Sequence, residues 1–297
     1  MKQNTELRII QQLQTRIEDQ LHKVGLLFRV FARCKSVDSI TKKIESREDG
    51  YYSEDGKKIQ DLFGVRIALY FPDDLKVAQQ ALGSIFSLDS QQVDNHDSSL
   101  FSASRCNFVF NLPDALADES HILKTNPLVD KTFEVQFRTV LSEGWHEVEH
   151  DLRYKCSDDW EQHDDLNRAL NGIYASLETS EWAMTRLFED LAYRHYKASE
   201  WAPMIRNKFR LRAGNELNQE LETVITSIDG LGKNIYRLDR SKLLTTILKF
   251  NINLPININN LVYICNYFFI KSPELNDVTP SIIKLTLDAL VERTLEE

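Results

Sequence analysis

Glycine and proline are sparse in this chain, 10 and 7 of 297 residues. So few turn formers argue against a many-turned β architecture and favour helices. Cysteine is scarce as well. Cys34, Cys106, Cys156 and Cys265 lie far apart and form no C-x-x-C pair. That spacing excludes a zinc or disulfide framework and predicts the reduced thiols of a cytoplasmic protein. No apolar run reaches the roughly 18 residues that a membrane span needs. The most apolar stretch, 261–270, is short and contains Asn266. The opening MKQNTELRII has no apolar signal-peptide region, so no leader is expected. Basic residues are in deficit, 36 against 45 acidic, for a net charge of −9. A generic nucleic-acid binder needs clustered Lys and Arg, so this balance leaves room only for a local basic patch.

The chain is long enough for one large domain, or for a catalytic domain with a smaller appendage. Leu7, Ile10, Leu13, Ile17, Leu21 and Leu27 recur at helical spacing and predict one long amphipathic helix over 5–32. A second helix is expected from Asp38 to about Arg47, followed by the turn-rich loop EDGYYSEDGKK. LFGVRIALYF (62–71) reads as a buried strand, and Asp73 and Asp74 open a helix reaching about Phe86. SRCNFVFN (104–111) and KTFEVQFR (131–138) read as further strands, with loop between them. Helix resumes near Thr139 and continues to the C-terminus, interrupted at Trp201, Ala202 and Pro203. The expected fold is α/β (α+β): a mixed sheet flanked by helices in a domain of residues 1–200, with an all-helical extension over 201–297.

Strand alternation then sorts the polar residues. On 131–138, Phe133, Val135 and Phe137 share one face, and Glu134, Gln136 and Arg138 share the other. On 62–71, Gly64, Arg66, Ala68 and Tyr70 share a face, with Asp61 just before the strand. If the two strands are close in one sheet, Asp61 and Glu134 meet. Like charges repel, but a Mg²⁺ ion reverses that, since it takes one or two carboxylates plus substrate phosphates. Arg33, Lys35, Lys42 and Lys43 cluster around Ser36 and Ser39 at the start of the second helix. Cations beside a helix N-terminus suit an anion, although for a charge cluster taken alone a solvated helix face is the commoner explanation. His146-Glu147-Val148-Glu149-His150 matches the H-E-x-x-H zinc-protease pattern, with Leu141, Trp145, Val148 and Leu152 as the expected buried stripe. No third ligand is marked nearby.

Four segments, in order, resemble the RelA/SpoT synthetase family over about residues 5–195. Arg33-Cys34-Lys35 through Ser39-Ile40 to Lys43 is similar to that family's R-x-K-x-x-x-S-I-x-x-K opening. Asp61-Leu62-Phe63-Gly64-Val65-Arg66 resembles its D-x-x-G-x-R strand, and Glu134-Val135-Gln136-Phe137-Arg138-Thr139 its E-I-Q-I-R-T strand. WHEVEHDLRYK (145–155) resembles the following W-x-x-x-E-H-x-x-x-Y-K helix, which absorbs His150 and makes a zinc protease a remote alternative. The resemblance implies an ATP-dependent pyrophosphokinase with a nucleotidyltransferase core that uses Mg²⁺. Asp61 and Glu134 would be catalytic and hold the metal; Arg33, Lys35, Ser39, Lys43 and Arg66 would bind ATP; Gln136 and Arg138 would meet the acceptor. Where the family has G-Y-x-S-x-H, this chain has Leu100-Phe101-Ser102-Ala103-Ser104-Arg105. Phe101 keeps a stacking face without a hydroxyl, and Arg105 brings a permanent charge, so both are assigned to the acceptor and its identity stays open.

The expected product is the alarmone (p)ppGpp, made from ATP and GDP or GTP, as in a stringent response. The alternatives are a toxic relative that pyrophosphorylates the tRNA 3′ end, with Arg206, Lys208, Arg210 and Arg212 as its basic stretch, and a degenerate nucleotide-binding regulatory domain. No HD hydrolase domain and no membrane contact are expected. A second copy of the chain, an antitoxin or another regulator remains open as partner.

Overall fold

The structure is a computed structural model that describes residues 2–93 and 106–296; Phe101 and Arg105 lie outside the described residues. The chain divides into two compact units, Met1–Asp19 with Phe28–Glu181 and Gln20–Leu27 with Trp182–Glu297.

The first unit is built on a five-stranded mixed sheet in the order β1-β2-β5-β4-β3. Its strands are β1 (Phe28–Cys34), β2 (Phe63–Leu69), β3 (Leu88–Val93), β4 (Cys106–Asn111) and β5 (Thr132–Thr139). β2 and β5 run parallel, while β1, β4 and β3 pair antiparallel with their neighbours. Around the sheet lie α1 (Lys2–Lys23), α2 (Val37–Glu45), α3 (Leu75–Gly83), α4 (Asp114–Ala117), α5 (His121–Thr125), α6 (Val140–Glu149) and α7 (Asp164–Lys197). The expected mixed sheet flanked by helices is thus present, and all further helices follow it in sequence.

Alternation gives the sheet two unlike faces. Val65 and Ile67 of β2, Phe133, Val135 and Phe137 of β5, and Phe108 and Phe110 of β4 are buried. Phe86 packs edge-on against Phe133, and Phe110 stacks on Phe133 at 5.6 Å between centroids. From α3, Val77, Ala78, Ala81 and Leu82 are buried too. Fully burying such side chains contributes about 1.5–3 kcal/mol each. The opposite face carries Arg33, Arg66, Glu134, Gln136 and Asn107, and cross-strand register sets Arg66 beside Gln136 and Gly64 beside Glu134.

Several sequence expectations need correction. The helix over 5–32 ends at Lys23, and residues 28–34 form β1 instead. Gly25 stops the helix with φ +76°, and a Cβ there would strike Ile256 at 2.7 Å. β3 went unread because every residue of LDSQQV is exposed on an edge strand, with no apolar alternation to show it. The stretch between β4 and β5 holds the short helices α4 and α5. The buried stripe expected on α6 is real only at Trp145, since Val148 is 50% exposed and Leu152 63%. The helix turns Glu143 and Glu147 toward Arg66, and a π-helical turn at His150–Tyr154 then changes the phase. The break expected at 201–203 falls at 198–200, where Ser199 has φ 58°. Trp201 opens the next helix, and Pro203 sits in its first turn, where a missing N–H costs no intrahelical bond.

The second unit is helical. It includes α8 (Trp201–Phe209), α9 (Gln219–Ser227), α10 (Leu231–Arg237), α11 (Arg240–Lys249), α12 (Ile258–Cys265), α13 (Pro273–Asp277) and α14 (Ser281–Glu296). The basic run at 206–212 is not a free row. Arg206 donates to Asn215, Lys208 lies over the Tyr236 ring at 5.5 Å, and Arg210 is buried. No described helix is long and apolar enough to cross a membrane.

Candidate active site

The polar sheet face and α6 enclose a cavity of about 610 Å³, lined among others by Phe31, Arg33, Asp61, Arg66, Glu134 and Gln136. Asp61 reaches it because the chain before β2 is locked to the chain before β5. Ile59 N donates to Leu128 O at 2.9 Å, and Asp130 N to Ile59 O at 2.9 Å. Lys35 N donates to Leu62 O at 2.8 Å, which carries the β1 register past the strand end and sets Lys35 beside Asp61.

Asp61 Oδ2 accepts from Lys35 Nζ and, at 2.8 Å, from Lys43 Nζ in the last turn of α2. Burial alone would raise the Asp61 carboxyl, but the two ammonium groups outweigh it and hold it below its ordinary value. Burial, helped by Lys43 and Arg33, pulls Lys35 below the usual lysine range despite Asp61. Burial opposes the charge of Lys43 as well, but there the hydrogen bond and charge of Asp61 prevail, with Tyr52 and Glu134 adding to them, and its value rises. Lys43 therefore senses both carboxylates. Asp61 Oδ1 is buried and has no hydrogen-bond partner among the described residues. Glu134 is held from the neighbouring strand, where Asn107 Nδ2 donates to its Oε1 at 2.8 Å.

A second network orients the arginines. Arg66 Nε donates to Gln136 Oε1 at 3.2 Å, and its Nη1 pairs with Glu143 at 3.0 Å and with Glu147. Arg138 Nη1 donates to the other Glu143 oxygen at 2.9 Å, and burial lowers the arginine from its ordinary value. Glu143, only 7% exposed, thus clamps two guanidinium groups.

Of the residues expected at the site, Asp61, Glu134, Arg33, Arg66 and Gln136 line the cavity together, and Lys35 and Lys43 reach it through Asp61. Ser39 and Arg138 are not in the lining; Ser39 is hydrogen-bonded to Ser36 at the α2 N-cap, and Arg138 is engaged with Glu143. Asn107, Glu143 and Glu147 were missed. Asn107 could have been found by alternation with Val109 on β4, whereas Glu143 and Glu147 looked like the ordinary solvent face of a helix.

The two histidines of the H-E-x-x-H pattern have different surroundings. The His146 ring packs against Trp145 and Tyr174, while His150 lines the cavity and pairs with Asp151 at 3.0 Å. Among the described residues, no three His, Cys, Asp or Glu side chains gather as a metal site. Burial pushes His146 down from 6.5 to about 3, aided by Arg138 and Arg66, so it is neutral in the folded protein. Its neutral form contributes stability that is complete above pH 6.5 and is lost as the pH falls toward about 3. At pH 5 the loss should be roughly 1–2 kcal/mol. Urea midpoints at pH 7.5 and pH 5 should converge when His146→Leu is compared with wild type; an unchanged pH slope in the variant would contradict this reading. The four cysteines are unpaired, and burial raises the Cys34 thiol to about 12, so it is a poor nucleophile.

Residues 32–159 match the family described as "Region found in RelA / SpoT proteins". No curated protein sequence matches the chain. Among solved structures, small alarmone synthetase 1 from Bacillus subtilis is 19% identical, with 62% of this chain and 92% of that one covered at a TM-score of 0.48. The same synthetase bound to its product pppGpp gives 19%, 63% and 95%, with a TM-score of 0.49. A GTP pyrophosphokinase family protein from Streptococcus pneumoniae gives 20%, 63% and 91%, with a TM-score of 0.45. The cavity, its two carboxylates and its lysines all fall within or beside the matched segment, and the chain therefore carries a RelA/SpoT-type region over residues 32–159.

Proposed function

We propose that the chain transfers pyrophosphate from ATP to the 3′-hydroxyl of a guanosine nucleotide, GDP or GTP. The observation that carries this reading is that Asp61, paired with Lys35 and Lys43, lines one cavity with Glu134 inside the RelA/SpoT match. In the reaction the acceptor 3′ oxygen bonds to the β-phosphorus of ATP. The bond from the β-phosphorus to the oxygen bridging it to the α-phosphorus breaks, and AMP leaves with the electron pair. The hydroxyl proton passes to Glu134, which stands on the central strand of the sheet.

The donor set suits Mg²⁺: two hard carboxylates, one with a buried oxygen that no protein donor uses. Asp61 and Glu134 would hold the ion, which would supply charge neutralisation on the phosphates. The protein's own part is positioning and electrostatics, as phosphoryl-type transfer requires. Lys35, Lys43 and Arg33 bind phosphate oxygens, with Ser39 at the helix start beside them. Arg66, fixed by Glu143 and Glu147, lies beside the ATP. Gln136 contacts the acceptor, and Arg138, itself held by Glu143, steadies Gln136 by donating to its Oε1 at 3.4 Å. Phe101 and Arg105 complete the acceptor contacts in this reading.

The test is to incubate the protein with γ-labelled ATP and, separately, GDP, GTP, ATP and tRNA. Label should move to a guanosine nucleotide as AMP is released. Label on tRNA alone would overturn the assignment of the acceptor, and label on none of the four would overturn the activity.

A further inference from the structure

A second concavity of about 490 Å³ shares Asp61 and Glu134 with the first, but its other walls are different. They come from the end of α2 and the turn-rich loop after it, and they bring Lys43, Arg47, Tyr51, Lys57 and Lys58. The two cavities differ sharply in charge. In the larger one, four lysine and arginine side chains face five carboxylates. In the smaller one, among the described residues, four face only Asp61 and Glu134. Cations of the larger cavity are also committed: Arg66 to Glu143 and Glu147, and Lys155 to Asp151 at 2.7 Å.

Two cations of the smaller cavity, Lys57 and Arg47, are held by an aromatic ring instead. Lys57 Nζ donates to Tyr51 Oη at 2.6 Å and lies 4.7 Å from its ring centroid. The Arg47 guanidinium stands over the same ring at 5.4 Å. Neither has a carboxylate within ion-pair distance among the described residues. A cation–π contact fixes a charge in space without neutralising it. The result is a preformed cluster of unneutralised positive charge in a concavity that ends at the two carboxylates.

We propose that this second concavity is a polyphosphate-binding arm of the site. Arg47, Lys57 and Lys58, with Lys43 at the inner end, take the phosphate chain of a nucleotide whose nucleoside lies in the larger cavity. The inference deepens the pyrophosphate-transfer reading and rests on it for the identity of the nucleotide. Lys35 and Lys43 are already shared with Asp61, so further cations are needed to balance a triphosphate. The chain held there belongs either to the donor's β- and γ-phosphates or to the acceptor's 5′-phosphates, and the kinetics separate the two.

The experiment compares wild type with the triple variant Arg47→Ala/Lys57→Ala/Lys58→Ala. A charge-matched control, Lys124→Ala/Lys131→Ala/Arg168→Ala, alters exposed cations elsewhere in the same unit. Calorimetric titration with inorganic tripolyphosphate should show binding weakened at least about tenfold in the first variant and unchanged in the control. In transfer assays, a rise in KM for ATP alone assigns the arm to the donor. A rise for the acceptor that grows from GMP through GDP to GTP assigns it to the acceptor. Equal tripolyphosphate affinity in all three proteins, or none in wild type, overturns the inference whatever the transfer activity. Retained binding in a wild-type protein that transfers nothing would uphold the arm and reject the reaction instead.

Discussion

Glu134→Gln should lower the rate of pyrophosphate transfer by on the order of 10³-fold, with the fold intact. The substitution keeps the shape of the side chain and the oxygen that accepts from Asn107, so the β4–β5 contact survives. What disappears is the negative charge, and with it the proposed proton acceptor and half of the proposed metal-binding pair. Asp61→Asn should cost a similar factor. It also removes the carboxylate that Lys35 and Lys43 share, in a partly buried position where that pairing now offsets desolvation. Initial rates measured beside circular dichroism spectra decide the matter. Loss of activity with an unchanged spectrum is expected, and a Glu134→Gln enzyme within tenfold of wild type would remove Glu134 from the chemistry.

The second large effect is on stability. Glu143→Ala should destabilise the first unit by about 3 kcal/mol or more, because breaking a buried ion pair leaves its partner uncompensated. Here Arg138 loses the carboxylate it pairs with and Arg66 keeps only Glu147, each arginine having a side chain only 19% exposed. Glu143→Gln keeps an acceptor for one of them and should fall between the two. The urea midpoint should drop in that order. Arg66 also loses one of its anchors, so the KM for ATP should rise in both variants even under conditions where they are fully folded. A Glu143→Ala protein as stable as wild type would mean that the two arginines reach water without cost, and the clamp would then have no structural weight.

Much of the site was legible because a strand exposes its logic in alternate residues. Glu134, Gln136 and Arg138 had to share a face, and their register with Gly64, Arg66 and Ala68 follows from β2 and β5 being parallel neighbours. Their strand is the middle one of five, so a polar row there is no solvent edge. Harder to read were features that depend on what an element packs against. β1 continued the leucine spacing of α1 and was hidden until Gly25 broke the helix. Glu143 carries no sign in the sequence that it will be buried, since only the two arginines across from it make that burial favourable. The cluster on Tyr51 lay in a segment dismissed as a turn-rich loop. Its cations are significant only because the loop folds back toward Asp61 and Glu134.

Pyrophosphate transfer is distinguished most directly by which phosphorus atom is attacked. ATP carrying distinguishable labels on its β- and γ-phosphates, incubated with the protein, Mg²⁺ and GDP or GTP, reports this in one chromatogram. Attack at the β-phosphorus predicts both labels in the acceptor product in equal amounts, with unlabelled AMP released in step. The γ-label alone in the product, with the β-label retained in ADP, would contradict it.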